Sequence, residues 1–131
     1  MSKRRTLQRI LVVAEEPSIG KALAFGLSSE DVTVDIVYEG THGINLGTTN
    51  GYEVLIVDRR LPDIDGLELV RRIKERFPET VVIMIADDPG EEPGEPEDDG
   101  QVSAYLEKPL RLGMVKDAIR REIEENESTE N

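Results

Sequence analysis

Glu53-Val-Leu-Ile-Val-Asp58 decides the fold. Four apolar residues run without a polar break and end on a carboxylate, the pattern of a strand whose two faces are both covered by helices. On the C-terminal side, Arg59-Arg-Leu-Pro-Asp-Ile-Asp-Gly66 is a loop by its Pro and Gly. Leu67, Val70, Ile73 and Phe77, with Leu69 beside them, then trace one apolar helical face that Pro78 stops. Val81 to Ala86 reads as a fourth strand and Val102 to Leu106 as a short fifth. Leu112, Val115, Ile119 and Ile123 mark the last helix, and the polar tail 124–131 is expected to fray. On the N-terminal side, Arg9-Ile-Leu-Val-Val-Ala14 is a first strand, and Ile19, Ala22, Leu23, Gly26 and Leu27 follow at helical spacing. Val32 to Tyr38 is the second strand, and the glycine-interrupted segment from Gly40 to Asn50 holds at best a weak helix.

Strands that alternate with helices predict an α/β class: a doubly wound five-stranded parallel sheet with right-handed crossovers and helices on both faces. Ligand sites of such sheets lie at the carboxyl ends of the strands, where the strand order reverses. Ala14 to Glu16, Asp58, Ala86 and Lys108 should therefore meet at one edge.

At 131 residues the chain has the size of one domain, spanning 1–131, and can bury roughly two-thirds of its unfolded surface without disulfides. It has no cysteine, which excludes a thiolate metal site and a Cys nucleophile and leaves the redox compartment open. No apolar run approaches the roughly 18 residues that span a bilayer. The basic start from Met1 to Arg9 is followed by only five apolar residues, too few for a signal peptide. The default expectation is a cytoplasmic protein with no membrane contact. The formal net charge of −12, from 28 acidic and 16 basic residues, argues against a nucleic-acid partner, whose phosphates demand a basic surface. Residues 87–100 hold eight acids, three prolines and three glycines, and nothing else; such a loop cannot bury enough apolar surface to fold.

The four segments at the strand ends deliver Glu15, Glu16, Asp58 and Lys108 to one edge, with Pro62-Asp-Ile-Asp-Gly66 between them. Together with Ile10-Leu-Val-Val before an acidic pair and Pro17, and Tyr105-Leu-Glu-Lys-Pro109, this arrangement resembles the receiver domain of two-component response regulators. The separations, 43 residues from Glu15 to Asp58 and 50 from Asp58 to Lys108, also fit. The resemblance covers nearly the whole chain and implies the flavodoxin-like strand order 2-1-3-4-5. It further implies a receiver that works in phosphorelay signal transduction and is not an enzyme beyond weak self-dephosphorylation, and because no second domain follows the last helix a stand-alone receiver is expected. Its phosphoacceptor is Asp58, which takes a phosphoryl group from a histidine kinase or phosphotransfer protein and signals to a downstream protein partner. Mg²⁺ would be held by Glu15, Asp58 and the backbone carbonyl of Arg60, because a hard cation takes oxygen ligands and keeps several waters. Lys108 would pair with the phosphoryl oxygens, and Pro109 completes a Lys-Pro pair that is commonly cis.

Two departures from the family pattern matter. Where the family has two aspartates this chain has Ala14 and Glu15, with Glu16 next as a possible substitute, so Mg²⁺ affinity is expected to be weak. Ala86 stands where the family carries the Thr or Ser whose hydroxyl couples the phosphoryl group to the aromatic switch residue, here Tyr105. The prolines of the acidic loop, Pro89, Pro93 and Pro96, each remove a backbone donor, so the fourth helix of the family is expected to be missing or remodelled. A rival reading follows: a pseudo-receiver that is never phosphorylated and serves as a protein-binding module.

Plainer readings stand beside these. Asp58 is then one of the polar residues that end strands in any α/β protein, and Glu15 and Glu16 merely solvate a loop and favour a helix N-terminus. Asp63-Ile-Asp65-Gly66 superficially matches a calcium loop, but Leu61 occupies a required ligand position and no Glu lies six residues beyond Gly66, so it reads as a turn that caps the third helix. His42, the lone histidine, is expected on the surface.

Overall fold

The computed structural model describes residues 8–87 and 100–129, with side chains as far as residue 125. The basic start and most of the acidic Pro/Gly loop, and with it the expectation of a missing helix, lie outside these residues. The elements are β1 (Gln8–Val13), α1 (Pro17–Leu27), β2 (Val32–Val37), α2 (Gly40–Thr49), β3 (Val54–Asp58), α3 (Gly66–Arg76), β4 (Val81–Ala86), β5 (Ala104–Glu107) and α4 (Leu112–Thr129). The strands form one sheet in the order β2-β1-β3-β4-β5, every neighbouring pair parallel. This is the expected doubly wound sheet, and the order reverses between β1 and β3.

The unbroken apolar runs of β1, β3 and β4 follow from covering on both sides. One set of alternate residues, including Val12, Ile56 and Ile83, packs with Leu23 and Leu27 of α1 and with Val115, Ala118 and Ile119 of α4. The other set, including Val13, Val57 and Met84, packs with Leu69, Val70 and Ile73 of α3. Each face thus carries its own core, and β3, central in the sheet, contributes to both.

Helix α2 forms despite Gly40, Gly43 and Gly47, all three of which are buried. Their value lies in close approach: a Cβ on Gly43 would stand 2.9 Å from Val13 Cγ2, and one on Gly47 would stand 2.3 Å from Ile73 Cδ1. The loss of helix propensity is the cost of seating this helix tightly on the sheet and α3. Its N-terminus is capped from a distance, since the Gly40 and Thr41 amides donate to the Asp63 carboxylate at 2.7 and 2.9 Å. Those bonds favour the ionised carboxylate, and they hold the Asp63 pKa below its ordinary value.

Helix α3 starts at Asp65, whose side chain accepts from the Leu67 amide at 2.9 Å. Glu68 in its first turn and Lys74 and Arg76 in its last complement the helix dipole. Helix α4 continues to Thr129, so the fraying expected from Glu124 does not begin there. Arg and Glu are strong helix formers and carry the helix beyond its last apolar anchor. Among the described residues no helix is long and apolar enough to cross a membrane.

Candidate functional site

Asp58 is the last residue of β3 and is 2% exposed, one of two buried polar residues described. Its Oδ1 accepts the backbone N–H of Arg60 at 3.2 Å, and its Oδ2 lies 3.2 Å from Lys108 Nζ. The sheet explains the meeting. The Arg59 amide donates to the Ile85 carbonyl and the Lys108 amide to the Ala86 carbonyl, so the chain leaves β3, β4 and β5 at one level. Lys108 has a second partner, Asp87, whose Oδ1 is 2.7 Å from Nζ. The Lys108–Pro109 peptide is cis.

Burial governs the titration of the pair. Desolvation pushes the Asp58 pKa up, and this outweighs the lowering by the Lys108 charge, by its hydrogen bond and by the Arg60 amide. For Lys108, burial favours the neutral amine, but the hydrogen bond it donates to Asp87 and the charge of Asp58 outweigh it and the pKa is raised. A carboxylate whose folded pKa lies above its unfolded value favours folding while it is protonated. That contribution is fully present below the unfolded pKa and is lost as pH rises through the folded one. At neutral pH the ionised Asp58 is therefore a cost, and since Asp87 keeps Lys108 paired, Asp58→Asn is expected to stabilise the domain by about 1 kcal/mol. Urea unfolding at a series of pH values checks this: the gain should shrink as pH falls through the raised Asp58 pKa towards the ordinary carboxylate range and be gone below it, and a variant less stable than wild type at pH 7 would refute it.

Of the residues singled out in the sequence, Asp58, Arg60 and Lys108 are thus joined by direct hydrogen bonds, with Ala86 adjacent. Glu15 and Glu16 are exposed on the β1–α1 loop, and neither makes an ion pair or hydrogen bond with Asp58. Ala14 is fully buried among the residues facing α1 and α4, and Ala86 is 5% exposed. Tyr105 is half-buried and packs against the core on the α3 side. His42 is exposed. Asp65 caps α3 as the turn reading has it, whereas Asp63 caps α2. Asp87 opens a run of acids, and nothing local in the sequence marks it as the partner of Lys108.

No group of three or more His, Asp or Glu side chains among the described residues is placed to hold a metal ion. Asp58 supplies a hard oxygen donor, but both of its oxygens are already engaged and the acids of the first loop point to solvent. As placed, Asp58 alone of the expected side-chain ligands presents an oxygen at the site, so a bound Mg²⁺ would have to recruit an exposed acid of the first loop.

Residues 10–120 match the response regulator receiver domain, and the chain belongs to that family. Members are phosphoacceptor modules of two-component signalling that partner with histidine kinases and typically bind Mg²⁺. Response regulator ArlR of Staphylococcus haemolyticus is 34% identical over 80 residues, which make up 61% of this chain and 36% of that protein. The chain therefore spans about a third of the length of the curated relatives it matches. Among solved structures, a CheY-like receiver domain protein from Methanospirillum hungatei superposes with a TM-score of 0.83 at 24% identity, covering 95% of this chain and 99% of the other. The BeF3-activated DrrB receiver domain superposes with a TM-score of 0.76 at 26% identity, covering 91% and 99%.

Proposed function

We propose that Asp58 accepts a phosphoryl group from a phosphohistidine of a histidine kinase or phosphotransfer protein, and that the domain passes this state to a downstream protein. The observation that carries the reading is a carboxylate buried at the end of β3 and paired with Lys108 from another strand end. An Asp58 oxygen attacks phosphorus, the P–N bond breaks, and its electron pair stays on the imidazole nitrogen. Lys108 offsets the negative charge carried by the phosphoryl oxygens. The acidic balance of the chain supports a protein partner rather than a nucleic acid.

Mg²⁺ belongs to the same proposal as a weakly held ion, with Glu15, Asp58 and the Arg60 carbonyl as ligands and Glu16 as the substitute. The loss of a carboxylate at Ala14 is the reason for weak affinity. The test is incubation with acetyl phosphate and Mg²⁺ followed by intact-mass measurement. Wild type should gain one phosphoryl group and Asp58→Asn none; no gain on wild type, or an equal gain on the variant, overturns the proposal.

A second reading is favoured by the burial of Ala14 and Ala86 at the two positions where the family is polar. It makes the domain an unphosphorylated pseudo-receiver that binds protein partners constitutively. A Mg²⁺ titration followed by amide NMR separates the two, because a pseudo-receiver shows no shift around Asp58.

A further inference from the structure

The contacts of Lys108 are uneven. Its ammonium lies 2.7 Å from Asp87 Oδ1 and 3.2 Å from Asp58 Oδ2, so the shorter ion pair goes to a residue outside the family's motif. We infer that Asp87 is a positioning residue of this site, an internal carboxylate that occupies Lys108 in the place of an incoming phosphoryl group and so slows transfer to Asp58. The inference rests on the reading of Asp58 as the phosphoacceptor.

Asp87 follows Ala86 at the end of β4, and its side chain is 41% exposed against 21% for Lys108 and 3% for Asp58. It therefore sits at the solvent side of the pair, on the approach to the buried carboxylate. Ala86 offers no hydroxyl there, so β4 ends in a negative acceptor rather than a neutral donor. An ammonium has three N–H donors and no acceptor, and two carboxylates already engage it.

Phosphorylation turns the Asp58 carboxylate into an acyl phosphate of charge about −2, whose phosphoryl oxygens must either share Lys108 with Asp87 or displace it. The anionic phosphodonor meets the same negative charge on the way in. Both effects have one sign, and the exposure of Asp87 gives its side chain room to swing outward when displaced. Consistent with one coupled cluster, the charge of Asp87 also raises the pKa of both Asp58 and Lys108.

The test uses the full chain with Asp87→Asn and Asp87→Glu. The first measurement is acylation of the Lys108 amine by an amine-reactive ester, resolved by peptide mass spectrometry, which does not depend on phosphorylation. Without the Asp87 carboxylate more of the amine is free, and Asp87→Asn should acylate several times faster at Lys108; an unchanged rate overturns the inference. The second measurement is the rate of phosphoryl labelling by acetyl phosphate with Mg²⁺. Asp87→Asn is expected to label about 3- to 10-fold faster at low salt, with the difference narrowing as salt screens the charge. Asp87→Glu should return the rate towards wild type. Equal or slower labelling of Asp87→Asn overturns the inference while leaving the phosphoacceptor reading intact. Faster acylation with no label on either protein overturns both, and leaves a structural ion pair only.

Discussion

Gly66→Ala should lower the stability of the domain by about 3 kcal/mol, a large share of the 5–15 kcal/mol typical of a domain. A Cβ at this position would lie 2.5 Å from the carbonyl oxygen of Asp58 and 3.0 Å from both Cα and the carbonyl oxygen of Arg59. These are backbone atoms, so no rotamer change relieves the overlap. The segment cannot retreat either: Arg59 donates to Ile85 at 2.9 Å, and Gly66 donates to the Arg59 carbonyl at 2.9 Å. The same loop returns at once to Asp65, which caps α3 and pairs with Arg59 at 3.4 Å. The glycine thus lets the chain fold back over the end of β3 and start a helix within eight residues of Asp58. Urea denaturation checks the claim; a midpoint close to that of wild type would show that the loop moves aside and that the close approach is dispensable.

Ile56→Ala should cost a similar amount, about 3 to 4 kcal/mol. Ile56 is fully buried in the central strand, paired in register with Val12 on β1 and Ile83 on β4, and it faces the core formed with α1 and α4. Three missing methylene-sized groups leave a cavity that the strands, hydrogen-bonded on both edges, cannot close. The denaturant slope should stay constant while the midpoint falls, since the surface exposed on unfolding is nearly the same. A loss below about 1 kcal/mol would mean that the helices collapse into the space. Ile56→Val, which removes one methyl, should cost about 1 kcal/mol and ranks the series.

The sheet was readable because its evidence is local and repeated. Val54 to Val57 and Val81 to Ala86 are apolar without interruption, and a chain does that only where both faces are covered. Asp58 and Lys108 were readable as well, since the crossover rules bring strand ends together whatever the helices contain. Helix α2 was harder, because its glycines argue against a helix by propensity while the reason for them, contact with Val13 and Ile73, lies in other segments. The second cap in that turn is hidden for a similar cause: Asp65 caps α3 as the sequence suggests, but Asp63, close to it in sequence, caps α2, 23 residues away. Asp87 was hidden by its neighbours. In a run of eight acids the first looks like the rest, and only the fold shows that Lys108 reaches it.

The long-range cap of Asp63 ties two parts of the molecule that the sequence keeps apart. The loop that leaves Asp58 holds the first amides of α2, so a displacement of that loop must stretch or release two hydrogen bonds on a helix that has no part in the chemistry. Gly40 and Thr41 therefore act as a gauge fixed to the outside of the site. A change at the buried carboxylate can be read at their amides without any probe placed near it.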